Sequence, residues 1–197
     1  MKVIGLTGSI GMGKTTAAAL FRRRGLPVYD ADRAVHRLSE KGGAAVPAIE
    51  RAFPGVVTNG AVDRKKLGAL VFKDAKALKK LEAILHPLVA EQRRLFLRRQ
   101  RARRRDLVVL DIPLLFETGG DALADHIVVV SAPAFLQTAR VMKRPGMTRE
   151  KLAGILVHQM PDGEKRRRAD TVIETGLGKR AALRQIDRLL GRLRNKD

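Results

Sequence analysis

The sequence predicts an α/β fold: a parallel β-sheet flanked by helices, with a helical insertion after the second strand and a pair of helices late in the chain. Three observations carry this expectation. Short apolar, β-branched segments alternate with longer helix-competent ones, a glycine-rich loop joins the first strand to the first helix, and residues 33–105 contain no segment suited to a buried strand.

Residues 2–7 are mostly apolar and stop at Gly8, which suits a short strand buried on both faces. A helix follows from Lys14 to Arg24, with Ala17, Ala18, Ala19, Leu20 and Phe21 and no breaker, and Gly25 ends it. Leu26-Pro27-Val28-Tyr29 opens a second strand that runs out at Asp30-Ala31-Asp32, completing a strand–helix–strand unit of about thirty residues. The insertion is punctuated by Gly42-Gly43, Pro54-Gly55, Asn59-Gly60 and His86-Pro87. Asp63 and Asp74 stand where helix caps belong, before Arg64–Phe72 and Ala75–Leu85, and Pro87 is placed to open the next helix. Strands resume at Leu107–Asp111, His126–Val130 and Thr171–Glu174, and helices are expected at Ala134–Arg144, Thr148–Gln159 and Lys179–Arg194.

Composition narrows the function classes. The 197 residues hold 40 Lys+Arg against 20 Asp+Glu, a formal net charge of +20, so the chain must meet anions: nucleic acid, an anionic membrane surface or small polyanionic substrates. One Tyr and six Phe provide few platforms for unstacked bases. The absence of cysteine excludes a disulfide framework, a thiolate metal site and a cysteine nucleophile. The N-terminus turns glycine-rich before an apolar signal core forms, and no window approaches ~18 apolar residues, so a soluble cytoplasmic protein is expected.

Gly8-Ser9-Ile10-Gly11-Met12-Gly13-Lys14-Thr15 satisfies G-x-x-x-x-G-K-[ST] between a predicted strand and a predicted helix. Glycines let the loop curl so that backbone N–H groups point at phosphate oxygens, and the positive end of the helix dipole reinforces them. Lys14 can then bridge terminal phosphates, while the Thr15 hydroxyl can ligate a Mg²⁺ shared with the nucleotide. Nucleotide binding follows; the reaction does not, because kinases, ATPases and GTPases share this loop. No Asn-Lys-x-Asp segment follows an interior strand to read a guanine base.

Asp30 and Asp32 fall at the carboxyl end of the second strand, where ligands of open α/β sheets collect. One carboxylate can take a proton from an attacking hydroxyl while the other helps hold Mg²⁺; the alternative is that Asp32 caps the helix from Arg33 to Glu40. Asp111 either orients a metal or is a strand-end turn residue. Pro113-Leu114-Leu115-Phe116-Glu117 either presents an apolar surface beside a carboxylate at the mouth of the site or is core.

Taken in order, Leu6 to Thr15, Asp30-Ala31-Asp32 with His36, Leu85-His86-Pro87-Leu88, Asp111 to Glu117, Gln137-Thr138-Ala139-Arg140, Thr148-Arg149-Glu150 and Ala169 to Ile173 resemble the dephospho-CoA kinase family over nearly the whole chain. The resemblance implies a P-loop kinase that phosphorylates the ribose 3′-hydroxyl of dephospho-CoA with ATP and Mg²⁺. It implies a nucleotide-binding core of residues 1–32, 105–133 and 161–197, a helical acceptor-binding insertion at 33–104 and a small helical lid at 134–160. Nucleotide contacts are implied for Gly8, Gly11, Met12, Gly13, Lys14, Thr15, Thr16 and Arg140, the last facing the ATP phosphates from the lid. Asp32 is implied as the general base and, with Thr15, as a metal ligand. Acceptor contacts are implied for Asp30, Asp32, His36, His86, Leu115, Phe116 and Glu117, although the two histidines serve equally well as polar packing at a helix start and a proline turn. The chain departs from the family at Glu174-Thr175-Gly176, where Asn-x-Gly is usual, so no nucleotide-base contact is carried over to these residues.

The substrates do not account for +20. Arg22-Arg23-Arg24, the six arginines within Arg98–Arg105 and Arg166-Arg167-Arg168 are expected on solvated helix faces and ends. No specific nucleic acid, no membrane and a monomer are expected. Two rivals stay open: a P-loop kinase acting on a nucleoside monophosphate or small alcohol, and a nucleotide-dependent nucleic-acid-binding protein motivated by the arginine runs.

Overall fold

The computed structural model describes residues 1–71 and 74–195. In chain order its elements are β1 (Lys2–Thr7), α1 (Lys14–Arg23), β2 (Val28–Asp30), α2 (Ala31–Ser39), α3 (Val46–Ala52), β3 (Val57–Thr58), β4 (Ala61–Val62), α4 (Arg64–Val71) and α5 (Ala75–Ala102). They continue with β5 (Leu107–Asp111), a 3₁₀ turn (Gly120–Leu123), β6 (His126–Ser131), α6 (Ala134–Met142), α7 (Arg149–Val157), α8 (Asp162–Arg168), β7 (Thr171–Glu174) and α9 (Lys179–Arg194). Two units emerge: Met1–Tyr29 with the chain from Gln100 onward, and Asp30–Arg99.

The first unit is built on a five-stranded sheet in the order β2-β5-β1-β6-β7. β1 pairs in parallel with β5, from Lys2 opposite Leu107 to Leu6 opposite Asp111, and with β6 on its other side, while β6 pairs in parallel with β7. β2 lies at the edge beside β5, where Val109 N–H donates to Pro27 O at 2.9 Å. β5 is buried at all five positions, which is why it reads as an unbroken apolar run with no alternation. Ile4, Leu6, Phe21, Val109, Val128, Val130, Ile173 and Ile186 form the core, so the apolar faces of α1 and α9 are buried with the sheet residues. The Arg24–Asp187 pair joining those helices at 2.6 Å is solvent-exposed and adds little.

The second unit has its own core of Leu38, Ile49, Phe53, Val56, Val62, Leu67 and Val71. Asp63 caps α4, accepting from Lys65 and Lys66 N–H, and Asp74 caps α5, accepting from Lys76 and Ala77 N–H, as the sequence indicates. The expected helix Arg64–Phe72 is observed to Val71; Phe72 lies outside the described residues.

Four local expectations need correction. Residues 33–105 do contain strands, a hairpin of β3 and β4 closed by Asn59 and Gly60 at φ 54° and 79°, the left-handed pair that a two-residue hairpin loop requires. Pro87 does not open a new helix: α5 runs through it. The proline removes one backbone hydrogen bond, but Ala77, Leu81, Ile84, Leu85, Leu88 and Val89 pack against the unit's core in one helical stripe that crosses it without a shift. β2 is shorter than expected because α2 begins at Ala31. Finally, α8 has almost no apolar residue to reveal it by periodicity; acidic Asp162 and Glu164 in its first turn and four basic residues in its last suit the helix dipole.

The arginine runs lie where helix ends and solvated faces would put them. Arg22 and Arg23 are exposed in the last turn of α1 and Arg166 to Arg168 exposed in the last turn of α8, where Arg166 meets Glu174 at 3.1 Å and Arg168 meets Asp121 at 3.0 Å.

Candidate active site

The glycine loop connects β1 at the centre of the sheet to α1. A side chain at Gly8 would put its Cβ 2.8 Å from Val130 O on the adjacent strand β6, a distance real Cβ atoms do not adopt. Gly13 is the N-cap of α1 at φ 93°, left-handed backbone that favours glycine. Met12 N–H donates to Ser9 O at 3.1 Å and curls the loop. At the head of α1 no acidic residue occupies the first turn and no side chain caps the amides. These N–H groups and the helix dipole therefore face the anion site without competition.

Lys14 Nζ lies 2.6 Å from Asp111 Oδ1, and the carboxylate is nearly buried. The pair joins the loop lysine to the last residue of β5, which stands opposite Leu6 in the sheet register. Thr7 Oγ1 donates to Pro113 O at 2.9 Å and ties the end of β1 to the segment after β5. Thr15 is exposed and Thr16 half-buried on the first turn of α1. Met12 is a buried peg whose Sδ accepts from Ala132 N–H at 3.2 Å.

Thr175 is buried beneath the loop. Its hydroxyl donates to Met12 O at 2.6 Å, and a Cβ on Gly13 would stand 3.0 Å from Thr175 Oγ1. Arg140 on α6 donates to Thr175 Oγ1 at 3.0 Å, Thr175 O at 2.8 Å and Gly11 O at 3.3 Å. Thr175 thus holds the loop and Arg140 together. Two glutamines also reach the loop: Gln137 Nε2 donates to Ile10 O at 2.8 Å, and Gln159 Oε1 accepts from Ile10 N–H at 3.0 Å. Gln137 and Thr175 stand in segments compared with the family, but no role is implied there for either, and Gln159, a polar residue just after a short helix, carries no motif.

Glu117 is engaged by protein. Its Oε1 accepts from Met160 N–H at 2.8 Å and stands 2.8 Å from Nζ of Lys165, which has no exposed surface. The ammonium is off the line of a well-aligned hydrogen bond, so the contact is an ion pair. Burial pushes the Glu117 carboxyl up, but Lys165 and the Met160 N–H outweigh it and hold the group below the ordinary glutamate range. Leu115 is fully buried, close behind Gly5 and Gly120, and Phe116 is buried with the Arg168 guanidinium 4.5 Å above its ring centre. Leu115 and Phe116 are therefore core, with no surface of Leu115 left for a ligand, whereas Leu114 is exposed.

In the second unit Asp30, and not Asp32, is the helix cap: its Oδ1 accepts from Arg33 N–H at 2.9 Å. Asp32 is exposed in the first turn of α2. His36 is exposed with Nδ1 2.9 Å from Glu40 Oε1, and His86 is exposed on α5. A cavity of about 770 Å³ lies on β7 and α9, lined by Thr171, Val172, Gln185, Arg188 and Arg192, apart from the loop.

A parallel sheet, a glycine loop on its central strand and a lysine paired with the aspartate ending the neighbouring strand make a candidate phosphate site and leave the acceptor open. Sequence comparison names the family: the dephospho-CoA kinase (CoaE) family model matches residues 2–179. The chain belongs to the dephospho-CoA kinase family. It is 64% identical over 166 residues to the dephospho-CoA kinase of Paramagnetospirillum magneticum, covering 84% of this chain and 78% of that one. To the dephospho-CoA kinase of Mesorhizobium japonicum it is 56% identical over 196 residues, covering 100% and 98%. A crystal structure of a protein from Thermus thermophilus superposes with a TM-score of 0.84 at 40% identity, covering 98% of this chain and 97% of that chain. As a dephospho-CoA kinase family member the chain is a kinase, and among its described residues no helix is long and apolar enough to cross a membrane.

Proposed function

We propose that this chain transfers the γ-phosphoryl group of ATP to the ribose 3′-hydroxyl of dephospho-CoA, giving coenzyme A and ADP, the last step of coenzyme A synthesis, in the cytoplasm. The observation that carries the reading is the Lys14–Asp111 pair beside the uncapped head of α1, in a chain that matches the family model over residues 2–179.

The loop amides and Lys14 receive the triphosphate tail, and the ion pair with Asp111 holds the lysine over the loop until the phosphates arrive. The Thr15 hydroxyl and the Asp32 carboxylate are hard oxygen donors of the kind Mg²⁺ takes, and Mg²⁺ needs few of them because it keeps waters and phosphate oxygens. Thr15 and Asp32 would hold the ion, which when bound neutralises phosphate charge. Asp32 is assigned as general base. Its support is chain position: it lies two residues past the end of β2, exposed and without a capping duty. The 3′-oxygen attacks the γ-phosphorus in line, its proton passes to the Asp32 carboxylate, and the bond from phosphorus to the β,γ-bridging oxygen breaks to release ADP. Arg140, anchored by Thr175 and Gly11, is assigned to the phosphates from residues 134–160, which act as the lid, while residues 33–104, including His36 and His86, hold the acceptor.

Incubation with Mg·ATP and dephospho-CoA, with the product identified by mass, tests the reading: coenzyme A is expected. Equal or faster turnover of a nucleoside monophosphate, or tight salt-sensitive nucleic-acid binding with no phosphoryl transfer, would defeat it. Asp32→Asn lowers kcat by about 10²–10⁴-fold at nearly constant KM if the carboxylate is the base; a pure KM effect would make it a binding group.

A further inference from the structure

Helix α6 and Gln159, just after α7, hydrogen-bond the backbone of the glycine loop at three atoms, and two belong to one residue. The peptide on the N-terminal side of Ile10 is fixed by its N–H donating to Gln159 Oε1 at 3.0 Å. The peptide on the C-terminal side is fixed by its carbonyl accepting from Gln137 Nε2 at 2.8 Å. Arg140 adds a donor to the next carbonyl, Gly11 O, at 3.3 Å. Both glutamines are themselves held. Gln137 is buried on α6, and a Cβ on Gly11 would stand 3.0 Å from its backbone oxygen, so helix and loop are in direct contact. Gln159 N–H donates to Leu156 O at 3.1 Å, and the next residue, Met160, is pinned through its N–H to Glu117, whose carboxylate is paired with buried Lys165.

We infer that Gln159 and Gln137 are positioning residues that set the two peptide planes flanking Ile10, so the loop holds its phosphate-receiving curvature before nucleotide arrives. This rests on the loop being the nucleotide-phosphate site of the proposed function. Three glycines between residues 8 and 13 give the loop a wide choice of backbone conformations, and ordering them at the moment of binding would subtract from nucleotide affinity. The paired carboxamides do that ordering in advance. Fixing both peptides needs a donor on one side of Ile10 and an acceptor on the other, and a carboxamide can serve as either. Here one glutamine uses its N–H₂ on a carbonyl while the other uses its oxygen on an N–H.

The experiment is calorimetric binding of Mg·ADP and, separately, of dephospho-CoA to the full chain and its variants. Gln159→Leu removes the acceptor and leaves an aliphatic side chain of comparable bulk; it is expected to weaken Mg·ADP about tenfold, the worth of one hydrogen bond, and to leave dephospho-CoA within twofold. Because both grips order the same residue, Gln137→Leu/Gln159→Leu is expected to fall well short of the product of the single losses. Mg·ADP affinity within twofold of the parent, equal weakening of both ligands, or fully multiplicative losses would overturn the assignment. A merely structural role would lower the folded fraction and the melting temperature without separating the two ligands. If Gln159→Leu does not fold, Gln159→Asn, one methylene short of Ile10, is read in the same way. Product formation by the parent enzyme is scored independently, so absence of coenzyme A counts against the proposed reaction and loss of ADP selectivity against the positioning role.

Discussion

Lys165→Met isolates the buried pair that fixes the segment after β5. Lys165 has no exposed surface, and the side chain of Glu117 is 16% exposed, so removing the ammonium leaves a carboxylate with little access to water. Breaking one side of such a pair costs about 3–5 kcal/mol. For a chain of 197 residues each kcal/mol moves the melting temperature by about 2–4 °C, so Lys165→Met lowers it by about 6–20 °C. The double variant Lys165→Met/Glu117→Gln removes the stranded charge while keeping an acceptor for Met160 N–H, and it recovers most of that loss. Calorimetric melting of the parent, both single variants and the double variant at neutral pH gives the coupling directly. A Lys165→Met shift below about 2 °C, or a double variant equal to the sum of the singles, would refute the argument that the pair is buried and mutually dependent.

The same pair sets an acid limb. Glu117 is held below the ordinary glutamate range when folded, so its stabilisation is complete above that range and is lost as pH falls through the depressed folded value; Glu117→Gln flattens the parent's decline in melting temperature between about pH 5 and pH 3, and an unchanged slope would contradict it. Thr175→Val keeps the shape but leaves Met12 O and Arg140 without the hydroxyl, costing about 1–3 kcal/mol and weakening ATP use, readable as a rise in the KM for ATP with the dephospho-CoA KM constant. Lys14→Ala lowers kcat by at least about 10²-fold with the circular dichroism spectrum intact, and full turnover in a coupled ADP-release assay would remove the lysine from the reaction.

Where a local pattern suffices, the sequence is already decisive. The loop from Gly8 to Thr15, the strands at 107–111 and 171–174, the helix Lys179–Arg194 and the caps at Asp63 and Asp74 appear where the sequence predicts them, because each depends on neighbours within a few residues. Pro87 misleads for the opposite reason. Its local preference for a helix start yields to apolar residues on both sides packing against the core of residues 38–71. The hairpin around Asn59-Gly60 is legible only as a turn, since two-residue strands carry no alternation to detect.

By itself the sequence determined that this chain has a parallel sheet, a phosphate-binding loop and the motif order of the dephospho-CoA kinase family, since these follow from spacing along the backbone. The tertiary structure alone decided which groups the loop touches. Asp111, Gln137, Arg140, Gln159 and Thr175 lie far from residues 8–14 in the chain and meet them only because strands and helices distant in sequence pack side by side. It also decided that Glu117 faces a buried lysine and that Asp30 caps α2, leaving Asp32 without a capping duty. Hydrogen bonds and ion pairs act over about 3 Å, and only folding brings such partners within that distance.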